Sequence, residues 1–259
     1  MNSELQAVPD RIVDFHSHIL PGMDDGSESP EMSCAMLNVA WRQGVRTMVA
    51  TPHFYPEQES PDMFAKRRIA AVKRLIGGGY DATIHPSVCL GAEVAYFPGI
   101  ARSESLDDMC IVGTRTVLIE MPFNGWTQSM LDEIVSIRSV RGLYPVLAHV
   151  DRYEEAGKRA LLDFLAERGV LLQINAEMFT RLLSRRRALR WLKEGIVQLI
   201  GSDCHNMTGR PPSMYAALDA LQGENTLQAQ LADVSQALLS GALTLAAVQN
   251  VYPRPLAES

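Results

Sequence analysis

The sequence predicts an α/β fold built on a parallel sheet, either closed into a barrel or open and wound on both faces. Three observations predict it. Seven short runs rich in Val, Ile and Leu recur along the 259 residues. Segments of helical periodicity separate them. The runs are mostly apolar throughout, as expected for parallel strands covered on both faces.

The elements follow in order. Strands are expected at 12–15, 45–50, 87–91, 116–121, 145–148, 170–174 and 197–200. Between the first two, Met32, Ala35, Met36, Val39 and Ala40 recur at helical spacing, with Ser29 as N-cap, Pro30 in the first turn and Gly44 at the stop. The segment 158–168 places Leu161, Leu162 and Leu165 on one face and ends at Gly169, and 188–194 ends at Gly195 in the same way. Helices are also expected around 214–221 and 235–250. Gly77, Gly78 and Gly79 precede a strand and read as a turn. No internal repeat interrupts this alternation.

Composition narrows the function. Hydrophobic residues make up 47% of the chain, enough for a sizeable core. No run approaches a membrane span, and the N-terminus lacks a basic start followed by an apolar stretch, so a cytoplasmic location without membrane insertion is expected. The four cysteines form no C-x-x-C pair and are expected as reduced, mostly buried thiols. A net charge of −6 argues against nucleic-acid binding. Arg181, Arg185, Arg186, Arg187 and Arg190 form one basic cluster, expected as a solvated helix face. No glycine-rich nucleotide loop occurs.

The reactive residues fall at strand ends. His16 and His18 follow the first strand, His53 the second, His149 ends the fifth and His205 follows the seventh. Glu93 follows the third, Glu120 ends the fourth and Asp203 follows the seventh, with Asp24 and Asp25 in the loop after His18. In a barrel these ends share one face, where barrel enzymes build active sites. The sixth histidine, His85, lies before a strand and is expected to be structural or exposed. Alternation turns Asp14, His16 and His18 to one side, so two imidazoles can share a metal and Asp14 can orient one of them. Asp203 and His205 repeat the geometry.

His16, His18, Asp25, His53, Glu93, Glu120, His149, Asp203 and His205 exceed what one ion needs, which argues for two or three. Imidazole with carboxylate suits manganese, iron or zinc. Three divalent ions against four carboxylates leave a cationic pocket, which fits a phosphate ester. Arg152 and Arg210 lie just past the ligands and suit phosphate oxygens, although either could instead pair with a carboxylate.

Together, the run from Asp14 to Gly26, Ala50-Thr51-Pro52-His53, Gly91-Ala92-Glu93, Leu118-Ile119-Glu120, the run from Ala148 to Tyr153, and Gly201 to Asn206 with Gly209 to Pro212 resemble the PHP (polymerase and histidinol phosphatase) superfamily. Within it they are similar to the bacterial manganese-dependent protein-tyrosine phosphatases of capsule and exopolysaccharide operons, the CpsB/YwqE type. The resemblance implies a distorted (β/α)7 TIM-like barrel, one PHP-type domain over 1–259 with the helical segment after residue 212 packed on it. It implies one ion on His16, His18, Glu93 and Asp203, a second on Glu93, Glu120 and His149, and a third on Asp25, His53 and His205. Manganese is the first expectation for the metal. Arg152 and Arg210 fall where phosphate is bound, and Asp203 joins them as a catalytic residue. Asp25 is like the tyrosine phosphatase branch and less like histidinol phosphatases. The implied partner is the tyrosine-rich tail of a bacterial tyrosine autokinase.

Three other readings remain. One is a PHP-type phosphoesterase for histidinol phosphate or a nucleotide. Another is a catalytically silent metal-binding module. The third rests on Cys204 to Arg210, which matches the C-x5-R spacing of cysteine phosphatases. Phe54, Tyr55, Phe123, Trp126, Tyr153 and Phe179 lie near strand ends and could wall a phenyl ring, though core packing is expected for most.

Overall fold

The computed structural model describes residues 13–153 and 158–242. Its strands are β1 (Val13–Ser17), β2 (Thr47–Ala50), β3 (His53–Phe54), β4 (Ser87–Leu90), β5 (Glu93–Ala95), β6 (Thr116–Glu120), β7 (Tyr144–Leu147), β8 (Leu171–Asn175) and β9 (Leu199–Gly201). The helices are α1 (Pro30–Arg42), α2 (Pro61–Gly77), α3 (Ser105–Asp108), α4 (Gln128–Arg141), α5 (Lys158–Glu167), α6 (Leu182–Lys193), α7 (Met214–Ala220) and α8 (Asn225–Leu238).

All seven expected strands are present, each bounded within two residues of expectation where described; Ile12 lies outside the described residues. β3 and β5 are continuations of β2 and β4 beyond short breaks. Gly91 N donates to Ala50 O and Glu93 N to Pro52 O, carrying the ladder across both. Every strand pair is parallel, running β1-β2-β4 and β3-β5-β6-β7-β8-β9. Asp203 N donates to His16 O at 2.8 Å and His18 N to Cys204 O at 2.9 Å, bringing the end of β9 alongside β1. The result is a distorted (β/α)7 TIM-like barrel.

Period-2 alternation sorts the side chains into two cores. Phe15, Val49, Cys89, Leu118, Val146 and Leu199 fill the barrel, whereas Met48, Val88, Ile119, Leu147 and Leu172 face the helices. Three helices begin on side-chain caps: Ser29 accepts from Met32 N, Ser60 from Met63 N and Thr127 from Met130 N. The periodic signals of α2 and α4 went unread in the sequence. Of the expected helix at 235–250, residues 235–238 close α8, 239–242 leave the helix in a turn, and residues 243–250 lie outside the described residues. Val234, Leu238 and Leu239 pack against the barrel interior, and Thr116 Oγ1 donates to Leu238 O at 3.1 Å. No helix among the described residues is long and apolar enough to cross a membrane.

The interior columns change character along each strand. Val49 leads through Thr51 to His53, Cys89 through Gly91 to Glu93, Leu118 to Glu120, Leu171 through Gln173 to Asn175, and Leu199 through Gly201 to Asp203. Apolar filling at one end thus gives way to polar groups at the other. Gly201 sits where β9 passes β1: a Cβ there would lie 2.5 Å from His16 Cβ and 2.9 Å from His16 N. Backbone cannot yield as a side-chain tip can, so Gly201→Ala is expected to destabilise the fold by about 1–3 kcal/mol. Urea unfolding checks this; an unchanged midpoint would show that β1 and β9 have slack.

Candidate metal centre

Glu93 lies at the middle of the polar end, 1% exposed. Its Oε2 is 3.2 Å from His16 Nε2, 3.2 Å from His18 Nε2 and 3.1 Å from His53 Nδ1, and its Oε1 is 2.9 Å from His149 Nε2. Three groups surround this carboxylate. Asp203 Oδ1 lies 3.5 Å from His16 Nε2 and 3.4 Å from His18 Nε2. Glu120 Oε1 lies 3.3 Å from His149 Nε2. Asp25 Oδ1 lies 3.6 Å from His53 Nε2 and 3.4 Å from His205 Nε2. The structure therefore brings all nine expected ligand residues together.

The fit to metal ions rests on orphaned atoms. Glu93 Oε2, Asp203 Oδ1, His53 Nδ1 and His205 Nε2 are buried without a hydrogen-bond partner. Each faces other imidazole or carboxylate atoms of the group without hydrogen-bond geometry, as ligands facing common centres do. Buried polar groups left this way are costly unless something coordinates them.

Groups behind the imidazoles fix their tautomers. His16 Nδ1 faces Gln173 Oε1 at 3.3 Å, His18 Nδ1 faces Asp24 Oδ2 at 2.7 Å and His205 Nδ1 faces Asp203 O at 2.9 Å. Each acceptor draws the proton to Nδ1 and leaves Nε2 free toward the centre. Asp14 does not do this. Its Oδ1 accepts from Ser202 N at 2.7 Å and His16 N at 3.3 Å, so it secures backbone rather than an imidazole. Gln173 and Asn175 were not singled out in the sequence. Their signal was a pair of amides two residues apart closing the apolar strand Leu171–Asn175.

Charge follows this packing. Burial opposes ionisation of Glu93 and Asp203, but the charge of His16 and the surrounding imidazole contacts outweigh it, holding both carboxyls well below the usual range. Burial likewise opposes protonation of His18 and His149. Hydrogen bonds to Asp203 and Asp24 raise His18 well above its ordinary value, and those to Glu120 and Glu93 raise His149 to about 9. His205 falls to about 4 through burial and the charges of His18 and Arg210.

Two of these residues hold unusual backbone. His149 has φ 32° and Asp203 φ 53°, the only described residues other than glycine with positive φ. His149 N is held by Gln173 Oε1 at 2.7 Å.

Asp203 also organises the arginines. Arg152 Nη1 donates to its Oδ2 at 3.0 Å, Arg210 Nη2 at 2.6 Å and Asn175 Nδ2 at 3.1 Å. Both guanidinium side chains remain more than a third exposed, at 37% and 38%. Each arginine therefore has its carboxylate partner and still presents donors outward.

The loop after β9 cannot serve as a cysteine-phosphatase cradle. Cys204 is fully buried, and burial with the nearby Asp14 charge pushes its thiol well above the usual range. Asn206 Oδ1 already accepts from Thr208 N, Gly209 N and Arg210 N, the amides a cradle would offer to phosphate. Cys204→Ser is expected to keep phosphate release within about threefold of the native protein, because the thiol touches no reacting group. Complete loss of turnover in a folded variant would restore the thiol reading. All four cysteines are free, and His85 is buried, with its Nδ1 accepting from Asp81 N at 3.1 Å.

Among the aromatics, Phe54, Tyr153 and Phe179 are core residues. Phe123 is 46% exposed and lies nearly parallel to His149 at 6.4 Å, with the Arg152 guanidinium 5.2 Å from its centroid. Tyr55 stacks on His53 at 5.3 Å. These two rings flank the centre.

The profile of the family described as capsular polysaccharide synthesis, CpsB/CapC, matches residues 12–239. Tyrosine-protein phosphatase YwqE of Bacillus subtilis is 30% identical over 220 residues, covering 82% of this chain and 85% of its own length. Tyrosine-protein phosphatase CpsB of Streptococcus pneumoniae is 29% identical over 225 residues, covering 81% and 89%. A crystal structure from the work on those two proteins, described as metal-dependent tyrosine phosphatases, superposes with a TM-score of 0.70 at 26% identity, covering 90% of this chain and 96% of the other. Histidinol phosphate phosphatase from Lactococcus lactis superposes at 0.52 with 13% identity, covering 82% and 93%, a likeness of fold.

Proposed function

The chain belongs to the CpsB/CapC family of capsular polysaccharide synthesis, and from that premise we propose that it is a metal-dependent protein-tyrosine phosphatase. The observation that carries the proposal is the set of buried, unpartnered ligand atoms around Glu93. The assignment has three ions. His16, His18, Glu93 and Asp203 would hold one; Glu93, Glu120 and His149 a second; Asp25, His53 and His205 a third. Manganese is the proposed metal, ahead of iron or zinc. The proposal also makes the whole chain one domain, places it in the cytoplasm and gives it the phosphorylated tyrosine-rich tail of a bacterial tyrosine kinase as partner.

When bound, the ions neutralise phosphate charge and lower the pKa of water. The chain's own residues do the rest. Arg152 and Arg210 donate outward to the phosphate oxygens, while Asp203 Oδ2 holds both guanidinium groups from behind. Phe123 and Tyr55 offer faces to a phenyl ring. A phenolate leaving group needs little help from a proton donor.

In the metal-free chain the surrounding carboxylates favour the protonated forms of His18 and His149. Metal loading is therefore expected to release protons, those of His18 and His149 among them, and to tighten as pH rises. Calorimetry in buffers of differing ionisation heat measures this; no release would show that both imidazoles are already neutral.

The deciding experiment follows phosphate release from a phosphotyrosine peptide and from histidinol phosphate, after chelation and readdition of Mn²⁺, for the native protein and His149→Ala. Peptide turnover restored only in the native protein is the expected result. Turnover of histidinol phosphate alone would keep the site and replace the substrate. Indifference to chelation would overturn the metal assignment.

A further inference from the structure

The metal centre uses none of the basic cluster on α6. Arg181 precedes the helix, and Arg185, Arg186, Arg187 and Arg190 lie along it. Arg185 reaches Asp219 of α7 at 3.2 Å. The other four have no carboxylate partner among the described residues, and the Arg187 guanidinium lies over the Trp191 ring at 5.4 Å. In a chain of net charge −6 this is a local reversal of sign. Two leucines stand among these arginines, Leu182 at 65% exposure and Leu183 at 79%. No acidic residue relieves the first turn. The face therefore suits an anionic partner with some apolar surface.

Its position points to the substrate. Helices of a barrel begin on the face where the strands end, which here holds the metal centre. β8 ends at Asn175, whose Nδ2 donates to Asp203 Oδ2. Arg181 follows six residues later, a separation of at most about 20 Å along extended chain. A polypeptide leaving the site in extended form covers the same distance in about six residues.

We propose that Arg181, Leu182, Leu183, Arg186 and Arg187 form a docking surface for the acidic polypeptide flanking the scissile phosphotyrosine. The proposal rests on the tyrosine phosphatase reading and deepens it. Its substrates carry further carboxylate or phosphate groups within about six residues of the target tyrosine. A polypeptide fits better than a bilayer. The apolar face of α6, with Ala188, Trp191 and Leu192, is buried in the core, and a helix lying in a membrane needs that face free.

The test uses the metal-loaded full chain and the triple variant Arg181→Glu, Arg186→Glu, Arg187→Glu. Three substrates are compared: a small aryl phosphate, a neutral phosphotyrosine peptide, and the same peptide with acidic residues about six positions away. The native protein is expected to favour the acidic peptide about tenfold in kcat/KM, less at high salt. The variant is expected to lose that preference and keep aryl phosphate turnover. Peptide binding read by fluorescence anisotropy reports docking independently of turnover. If no phosphotyrosine is hydrolysed yet the acidic peptide still binds tighter to the native protein, the activity reading fails and docking stands. Equal binding of both peptides by the native protein overturns the proposal. So does a variant that keeps the preference, or one that loses only its attachment to phosphatidylserine vesicles.

Discussion

Glu93→Gln is expected to lower phosphate release by about a thousandfold or more and to strip the protein of more than one metal ion. Among the described residues no other meets as many imidazoles of the centre. His16, His18 and His53 point ring nitrogens at one of its oxygens, and His149 points at the other. A carboxylate can face all four, because both oxygens accept and its charge spreads over them. An amide has the same shape, but one of its two positions becomes a donor. That NH2 would face either His149 Nε2 or the three rings and the ions among them. Those rings also lose the buried charge that balances them, so the whole centre is weakened rather than one contact. Metal content by mass spectrometry and the shift in Tm on chelation read the change directly. A metal that binds only the folded chain adds about 2.7 kcal/mol at a hundredfold excess over its Kd, so the variant is expected to lose most of its chelation-sensitive stability. A variant with full metal content and turnover would show that the centre does not depend on the Glu93 carboxylate.

Much of this centre was legible because alternation is a rigid rule. Val49 and Leu118 fill the barrel, so His53 and Glu120, an even number of residues later on the same strands, emerge at its polar end. The seven apolar runs located the strands for the same reason. The rule is weaker at β1 and β7. Val13 and Phe15 join the interior, which leaves His16 and His18 off that column; pairing of β1 with β2 shifts register between Asp14 and Ser17. His149 reaches the centre through a left-handed backbone that no apolar pattern encodes. Asp14 was misread because alternation fixes a side and says nothing about which neighbour donates. Its partners are backbone amides, one of them brought by a loop far along the chain. Gln173 and Asn175 were missed for a related reason. A buried amide becomes informative only when its partners are known, and these partners come from β1, β7 and the loop after β9. The breaks that split β2 from β3 and β4 from β5 are tertiary features around Thr51-Pro52 and Gly91-Ala92, where the ladder skips without ending.

Asp203→Asn is expected to cut kcat about a hundredfold to a thousandfold and to raise KM for a phosphotyrosine peptide. The substitution is unusually clean, because asparagine tolerates the left-handed φ of 53° as well as aspartate does. Backbone strain therefore does not confuse the result. The two oxygens of Asp203 have different neighbours. Oδ1 faces His16 and His18, where an ion would sit. Oδ2 accepts from Arg152, Arg210 and Asn175 together. One amide cannot serve both sides. If its oxygen stays with the arginines, its NH2 turns toward the imidazoles and the metal weakens. If its oxygen turns inward, two guanidinium groups and the amide of Asn175 confront another donor, and the phosphate clamp loosens. Metal content separates these outcomes by degree, since the first lowers it more, while both lower turnover. Asn175→Ala is the milder companion: it removes one donor to Oδ2 and leaves the charge, so a loss of about 10-fold to 100-fold is expected with the metal retained. Asp203→Asn with turnover within tenfold of native and unchanged metal content would show that the carboxylate couples nothing, and that Arg152 and Arg210 are positioned by some other means.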